Sequence, residues 1–184
     1  MKPVFSEADK SYIRSEFVLL ASHCLAHGRD VASTQREFRN GSRPRPSYVF
    51  DDGTEFVPVD YFAQEVRRER FFERLRIRSE AFGCDLSVTD CEAIWTGYLD
   101  GFYGKCLVRV SPESIVEKGF LIDRISALIA APREKDQEWC RILAAHVDAL
   151  DAIERPFCDQ DRAEAGGPVS RDTYVTCIRA KFGV

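Results

Sequence analysis

Tyr48-Val49-Phe50-Asp51-Asp52-Gly53-Thr54-Glu55-Phe56-Val57 is the stretch that separates an all-helical reading of this chain from one that includes a sheet. Two β-prone runs flank an Asp-Gly step, and Gly53 can supply the positive φ that a tight hairpin turn demands. One hairpin at about 48–57 is therefore expected. Just before it, Asn40 to Pro46 carries Gly41 and two prolines around Arg43 and Arg45, which reads as a connector.

On either side the periodicity is helical. Ile13, Phe17, Leu20 and Cys24 recur at steps of four, three and four, which predicts one amphipathic helix from Glu7 to His27, stopped at Gly28. Asp30 to Arg39 reads as a short helix. Asp60 is placed to cap a long, heavily charged helix running to about Ala81 ahead of Gly83, and Ser87 or Thr89 to cap another reaching about Leu99. Ser111-Pro112-Glu113 is a strong helix start, because Pro fits the first turn and Ser accepts from its free amides. The apolar series Ile115, Leu121, Ile122, Ile125, Leu128, Ile129 follows it up to Pro132. Asp136 opens a last clear helix to Ile153, ended by Pro156. Lys105 to Val110 reads as a short strand. Gly166-Gly167-Pro168 marks Cys158 to Val184 as a largely irregular C-terminal segment with one strand at Thr173 to Ile178. The expected fold class is mostly α, with α+β open, as a single domain over residues 1–184.

Composition narrows the function classes. With 184 residues, 45% hydrophobic and 13 Phe, the chain has ample material for one core. The 26 basic and 30 acidic residues give a net charge of -4, so no overall field draws in nucleic acid or an anionic membrane. No apolar run approaches the roughly 20 residues of a membrane span, and Met1 to Lys10 lacks the basic-then-apolar order of a signal peptide; the expected location is the cytoplasm. Seven Cys, an odd number with no CxxC, fit reduced packing residues better than a disulfide framework.

Three segments carry candidate chemistry. In the first, Arg45 to Tyr61, prolines fix a hairpin bearing carboxylates and tyrosines. Asp52 and Glu55 are candidate bases, and Tyr61 or Tyr48 a candidate acid or hydrogen-bond donor, against the alternative of an ordinary turn with Asp chosen for its local bonds. In the second, Tyr98-Leu99-Asp100-Gly101-Phe102-Tyr103-Gly104-Lys105-Cys106, glycines would let backbone approach a ligand lined by Tyr98, Asp100 and Tyr103. Cys106 has no neighbouring His to activate it and reads chiefly as packing. In the third, Gly166 to Tyr174, a Gly-Pro-held flap would place Arg171 to clamp an anionic group and Tyr174 beside it, against a surface Arg paired with Asp172. Asp52, Glu55, Tyr61 and Tyr103 are thus the candidate catalytic residues, and Tyr48, Tyr98, Asp100, Arg171 and Tyr174 the candidate substrate contacts.

Other constellations are weaker. His23, Cys24 and His27 could share a helix side and touch a metal, but His27 extends the apolar stripe with His23 off to its side, which favours a core or interface role; no metal site is expected. His146, on a helix between Ala145 and Val147, reads as packing or capping. The arginines from Arg67 to Arg78 interleave with Glu65, Glu69, Glu73 and Glu80, the pattern of a solvated helix face with local ion pairs. No phosphate-binding loop, GxGxxG or GxSxG elbow is present, and no cofactor is expected.

Taken together, Arg45-Pro46-Ser47-Tyr48-Val49 through Asp52-Gly53-Thr54-Glu55 to Asp60-Tyr61, then Tyr98 to Gly104 with Cys106-Leu107, then Arg155-Pro156-Phe157 and Gly166 to Asp172, resemble an uncharacterised actinobacterial family associated with natural-product biosynthesis. At Lys105 the chain departs from the Val that the resemblance implies. What it implies is a context: a small protein among pathway enzymes, working on an amino-acid-derived intermediate. Joined to the residue types, this gives a cofactor-independent acid–base tailoring enzyme, with intramolecular cyclisation of an amine as the specific reaction and Arg171 holding a departing sulfate or phosphate. Two rivals stand beside it: a non-catalytic accessory subunit that binds a partner biosynthetic enzyme, and a metal-dependent oxygenase centred on His23 and His27. The expected partners are a small-molecule intermediate and either a partner pathway protein or a second copy in a homodimer, the homodimer counting against the accessory subunit.

Overall fold

The computed structural model describes residues 5–184. Residues 1–4, part of the stretch read above against a signal peptide, lie outside the described residues. The fold is mostly helical with a small antiparallel sheet, as the sequence periodicities imply.

The sheet holds one strand more than the hairpin. Strands β2 (Tyr48–Val49) and β3 (Glu55–Val57) pair around Gly53, whose φ is +83°, and β3 also pairs with β1 (Val18–Leu19), so that β3 is central. This third strand breaks the long N-terminal helix into α1 (Glu7–Glu16) and α2 (Leu20–Ala26). The break resets the helical phase. His23 becomes the buried histidine and His27 the exposed one, the reverse of what an unbroken stripe predicts. Helix α3 (Val31–Arg39) follows, with Asp30 accepting from the Ser33 amide.

Asp60 does not cap a long helix. A 3-10 turn at Tyr61–Ala63 intervenes, and the Asp60 carboxylate accepts instead from the Val110 amide at 2.8 Å. Helix α4 (Arg68–Ala81) begins only after it. Some of the arginine pairs are local, Arg67 and Arg70 meeting Glu65 at 3.3 and 3.2 Å, while others reach across to α7 (Pro112–Ala130): Arg74 makes two 2.7 Å bonds to Glu113, and Arg78 pairs with Glu117 at 3.1 Å. Helix α5 (Val88–Leu99) is capped by Ser87, which forms a reciprocal pair with Asp90, and α7 (Pro112–Ala130) by Ser111. Asp136 caps α8 (Gln137–Ile153).

The expected strand at 105–110 is instead the end of a short helix, α6 (Phe102–Cys106), followed by a single antiparallel bridge between Leu107 and Glu154. The C-terminal segment, expected to be irregular, folds as α9 (Asp159–Ala165), ended by Gly166 at φ +72°, and a π turn at Asp172–Thr176 running into α10 (Cys177–Phe182). Val175 and Ile178 repeat on one face and pack on α8, where a strand would have sent them to no core. Gly166-Gly167-Pro168 is thus a helix-to-helix corner.

Two buried clusters organise these helices, one around Phe71, Leu75, Tyr98 and Leu107, the other around Leu121, Ile125, Leu143 and Leu150. Helix α7 contributes to both. The sheet closes a third cluster with Phe5, Ile13, Phe17 and Tyr48. Among the described residues no helix is long and apolar enough to cross a membrane.

Candidate functional site

The bridge at Leu107 decides where chemistry can gather. Val108 N–H donates to the Ile153 carbonyl and Arg155 N–H to the Cys106 carbonyl, each at 3.0 Å, so the end of α6 and the end of α8 lie side by side. Arg155 locks the joint. Buried itself, it donates from Nε to the Leu107 carbonyl at 3.0 Å, from Nη2 to Val108 at 3.1 Å, and from Nη1 to the Glu16 carbonyl at 3.0 Å.

Cys106 and Glu154 are thereby brought to the same place, and α7 adds Lys118. The Lys118 Nζ lies 2.8 Å from Glu154 Oε1, with the Glu154 side chain wholly withdrawn from solvent. Ser170, just past the Gly-Pro corner, donates its hydroxyl to the same Oε1. Burial works against the Lys118 ammonium, yet the adjoining Cys106 and Glu154 groups outweigh it and hold its pKa above the ordinary lysine value. Burial pushes the Cys106 thiol up, with Lys118 working the other way, and among the described residues no histidine adjoins it to activate it.

This cluster forms the floor of a cleft of about 630 Å³, between Lys118 and Ser170 on one side and Asp161, Glu164 and Lys105 on the other, with Phe102, Phe157 and Val169 as apolar walls. Asp161 is 6% exposed. Its Oδ2 is saturated: Tyr48 donates its hydroxyl at 2.8 Å, the Cys158 amide at 3.1 Å and the Cys158 thiol at 3.2 Å. Its Oδ1 has no hydrogen-bond partner among the described residues, and Lys105 Nζ stands 3.5 Å away, drawn off by a 2.7 Å bond to Glu164. Glu154 Oε2 is likewise buried without a partner. The Lys105–Glu164 pair also lines a second, shallower groove of about 320 Å³ floored by Tyr48 and Pro46, so it stands as a partition between the two.

Residues 60–183 match the family of unknown function DUF6058. The chain belongs to that family. No curated protein and no solved structure matches it. The part of the chain shared with DUF6058 carries Lys118, Glu154, Asp161, Glu164 and Ser170, whereas Tyr48, which orients Asp161, precedes it.

The sequence candidates are dispersed. Asp52 is exposed in the hairpin turn, where it accepts from the Thr54 amide at 2.9 Å, and Glu55 accepts from Gln35 Nε2 at 2.8 Å. Tyr61 is buried, donating to the Pro44 carbonyl at 2.6 Å, and Tyr98 donates to the Glu65 carbonyl at 2.6 Å. Burial pushes the pKa of each well up. Tyr103 packs on Gly97. Arg171 is spent on the chain itself, donating to the Asp151 and Glu154 carbonyls and to the Asp151 carboxylate, while Asp172 is held by Arg162. Tyr174 packs against the α8 core. Only Asp100, at the rim, and Tyr48, behind Asp161, adjoin the cleft.

The glycines beside them serve packing. A Cβ on Gly101 would stand 2.7 Å from the Arg45 carbonyl oxygen, and one on Gly104 would stand 2.3 Å from Ser47 Oγ, so both let α6 press on the 44–47 connector rather than on a ligand. The His23 and His27 rings are 4.3 Å apart, with His23 stacked on Phe62; among the described residues no third His, Cys, Asp or Glu completes a metal-binding group there.

Lys118, Glu154 and Asp161 went unnoticed in the sequence because each looks like a surface charge on an amphipathic helix or at its end. The one available signal was that Glu154 directly precedes the Arg155-Pro156-Phe157 stretch.

Proposed function

We propose that this protein is a cofactor-independent acid–base enzyme acting on a small amino-acid-derived intermediate, in the natural-product context that the resemblance implies. The observation that carries this reading is that one cleft is lined by a carboxylate oxygen that accepts no hydrogen bond among the described residues, on Asp161, and by a largely covered lysine held in its protonated form, Lys118. A base and a cation held apart on rigid helices can take a proton at one point of a substrate and meet negative charge at another.

Intramolecular cyclisation fits that division. Asp161 Oδ1 first takes a proton from the substrate ammonium, which frees the nitrogen lone pair to form its bond to carbon and leaves the ring nitrogen protonated. The carbon–oxygen bond to an anionic leaving group breaks with its electron pair, and Lys118 meets the new charge. Lys118, paired with Glu154 but lining the cleft as Arg171 does not, takes the part assigned above to Arg171 as the leaving group gains charge.

The test is turnover by the full chain of a panel of amino-acid-derived amines bearing a sulfate or phosphate ester, followed by NMR and mass spectrometry. The expected result is conversion of at least one member, falling about 100-fold in Lys118→Met. No conversion anywhere in the panel, or conversion indifferent to that replacement in a folded variant, overturns the reading.

A further inference from the structure

The cleft has an unbalanced charge. Lys105 and Lys118 stand against four carboxylates, Asp100, Asp161 and Glu164 in the lining and Glu154 beneath it; Arg45 answers Asp100 at 3.4 Å, and each lysine is already bonded to another, Lys105 to Glu164 at 2.7 Å and Lys118 to Glu154 at 2.8 Å. An anion entering here would meet no uncommitted cation. Asp161 is more than nine-tenths buried, with one oxygen pinned by three donors and the other, without a hydrogen bond among the described residues, facing Lys105 at 3.5 Å while Glu164 holds that lysine at 2.7 Å. A carboxylate pinned by three donors on one oxygen cannot turn, and Asp161 and Lys105 both line the cleft, so a stronger donor entering there competes with Lys105 for the other oxygen. A buried carboxylate oxygen that shares its cation with Glu164 and accepts no hydrogen bond is left short of a donor.

We infer that Asp161 is the seat of a ligand ammonium group. The ligand class is a primary amine, protonated when it binds, carrying a flat apolar or aromatic body that lies between Phe157 and Val169 with Phe102 at the rim. A primary ammonium brings both the missing positive charge and the hydrogen-bond donor, which a neutral alcohol or a quaternary cation cannot do together. This names the substrate class for the site described under the proposed function and rests on that reading only for what happens after binding.

The test is calorimetric titration of the full chain with benzylammonium, benzyl alcohol, benzyltrimethylammonium and benzoate at neutral pH. Benzylammonium is expected to bind saturably, the other three at least about tenfold more weakly, and Asp161→Asn to lose about tenfold in benzylammonium affinity. Asp161 also holds Tyr48, so Asp161→Asn must first be shown to fold; Lys105→Val, which removes the competing charge 3.5 Å from Oδ1, is the independent check and is expected to tighten benzylammonium binding. Benzoate binding as well as benzylammonium, or affinity unchanged in both variants, overturns the inference. Saturable amine binding without turnover removes the enzyme and leaves the seat; turnover of a substrate without an amine does the opposite.

Discussion

The Lys118 ammonium and the Glu154 carboxylate meet at 2.8 Å beneath the cleft, with Glu154 entirely withdrawn from water. Breaking such a pair from one side leaves a buried charge alone. Lys118→Met is therefore expected to cost about 3–5 kcal/mol of stability, and the double replacement Lys118→Met with Glu154→Gln distinctly less, because Gln carries no charge and can still accept from Ser170. Urea unfolding of the two variants decides it: a double replacement costing as much as the single would mean that the charges are not coupled.

Stability should fall in alkali. Burial raises Tyr48, Tyr61 and Tyr98 well above the free tyrosine value, Tyr103 to about 12 and Cys158 to about 12. From about pH 9 the unfolded chain sheds these protons while the folded chain keeps them, so the folded state binds more protons and loses stability as pH rises, by about 1.4 kcal/mol per pH unit for each group. The raised Lys118 adds to the loss once the unfolded lysine begins to shed its proton, and its share is complete when the pH has passed its folded value. Urea midpoints measured from pH 8 to 11 should decline steeply over the upper part; a flat profile sinks the claim.

Gly101 and Gly104 should respond differently to alanine. At Gly101 the φ of +78° is unfavourable for Ala and the obstacle is a backbone oxygen, so a loss of about 2–4 kcal/mol is expected. At Gly104 the nearest atom is Ser47 Oγ, a hydroxyl with no partner of its own. Ser47→Ala should be nearly neutral alone and should recover most of the loss in Gly104→Ala, whereas it should do nothing for Gly101→Ala. Melting temperatures of the three single and two double variants suffice.

Lys105→Val puts back the residue that the family resemblance implies. Its ion pair with Glu164 is partly exposed, so stability should change by no more than about 1 kcal/mol. The cleft and the neighbouring groove would then be continuous, and longer amines should bind more tightly to the variant than to the natural chain. Equal affinity across chain lengths in both proteins would show that Lys105 is no partition.

Thiol reactivity offers a direct check on the packing. Cys84 and Cys177 are exposed, Cys140 is intermediate, and Cys24, Cys91, Cys106 and Cys158 are buried. An aromatic disulfide reagent should label the first two rapidly and the buried four only on unfolding, as counted by mass spectrometry.

What the sequence disclosed was mostly what local chemistry dictates. Gly53 in its turn, Ser87, Ser111 and Asp136 at their helix starts, and the apolar face of α8 follow from interactions within a few residues. What escaped notice depends on distant partners. The N-terminal helix breaks because Val18 and Leu19 pair with a strand almost forty positions away, and Asp60 leaves its expected helix for the Val110 amide. The site behaves likewise: Arg171 reads as a free cation until Asp151 is seen beside it, and Asp161 reads as one of several helix-start acids until Tyr48 is found on it.

The Tyr48–Asp161 bond spans 113 positions. The receiving oxygen is therefore set only once the hairpin and the last third of the chain have docked, and a partly unfolded molecule has no place for the amine. Occupancy should then stabilise the molecule as a whole rather than the rim of the cleft alone. Amide hydrogen exchange would register this as slower exchange in β2 and β3 as well as in α9, so that a ligand too weak for calorimetry could still be detected through protons far from where it sits.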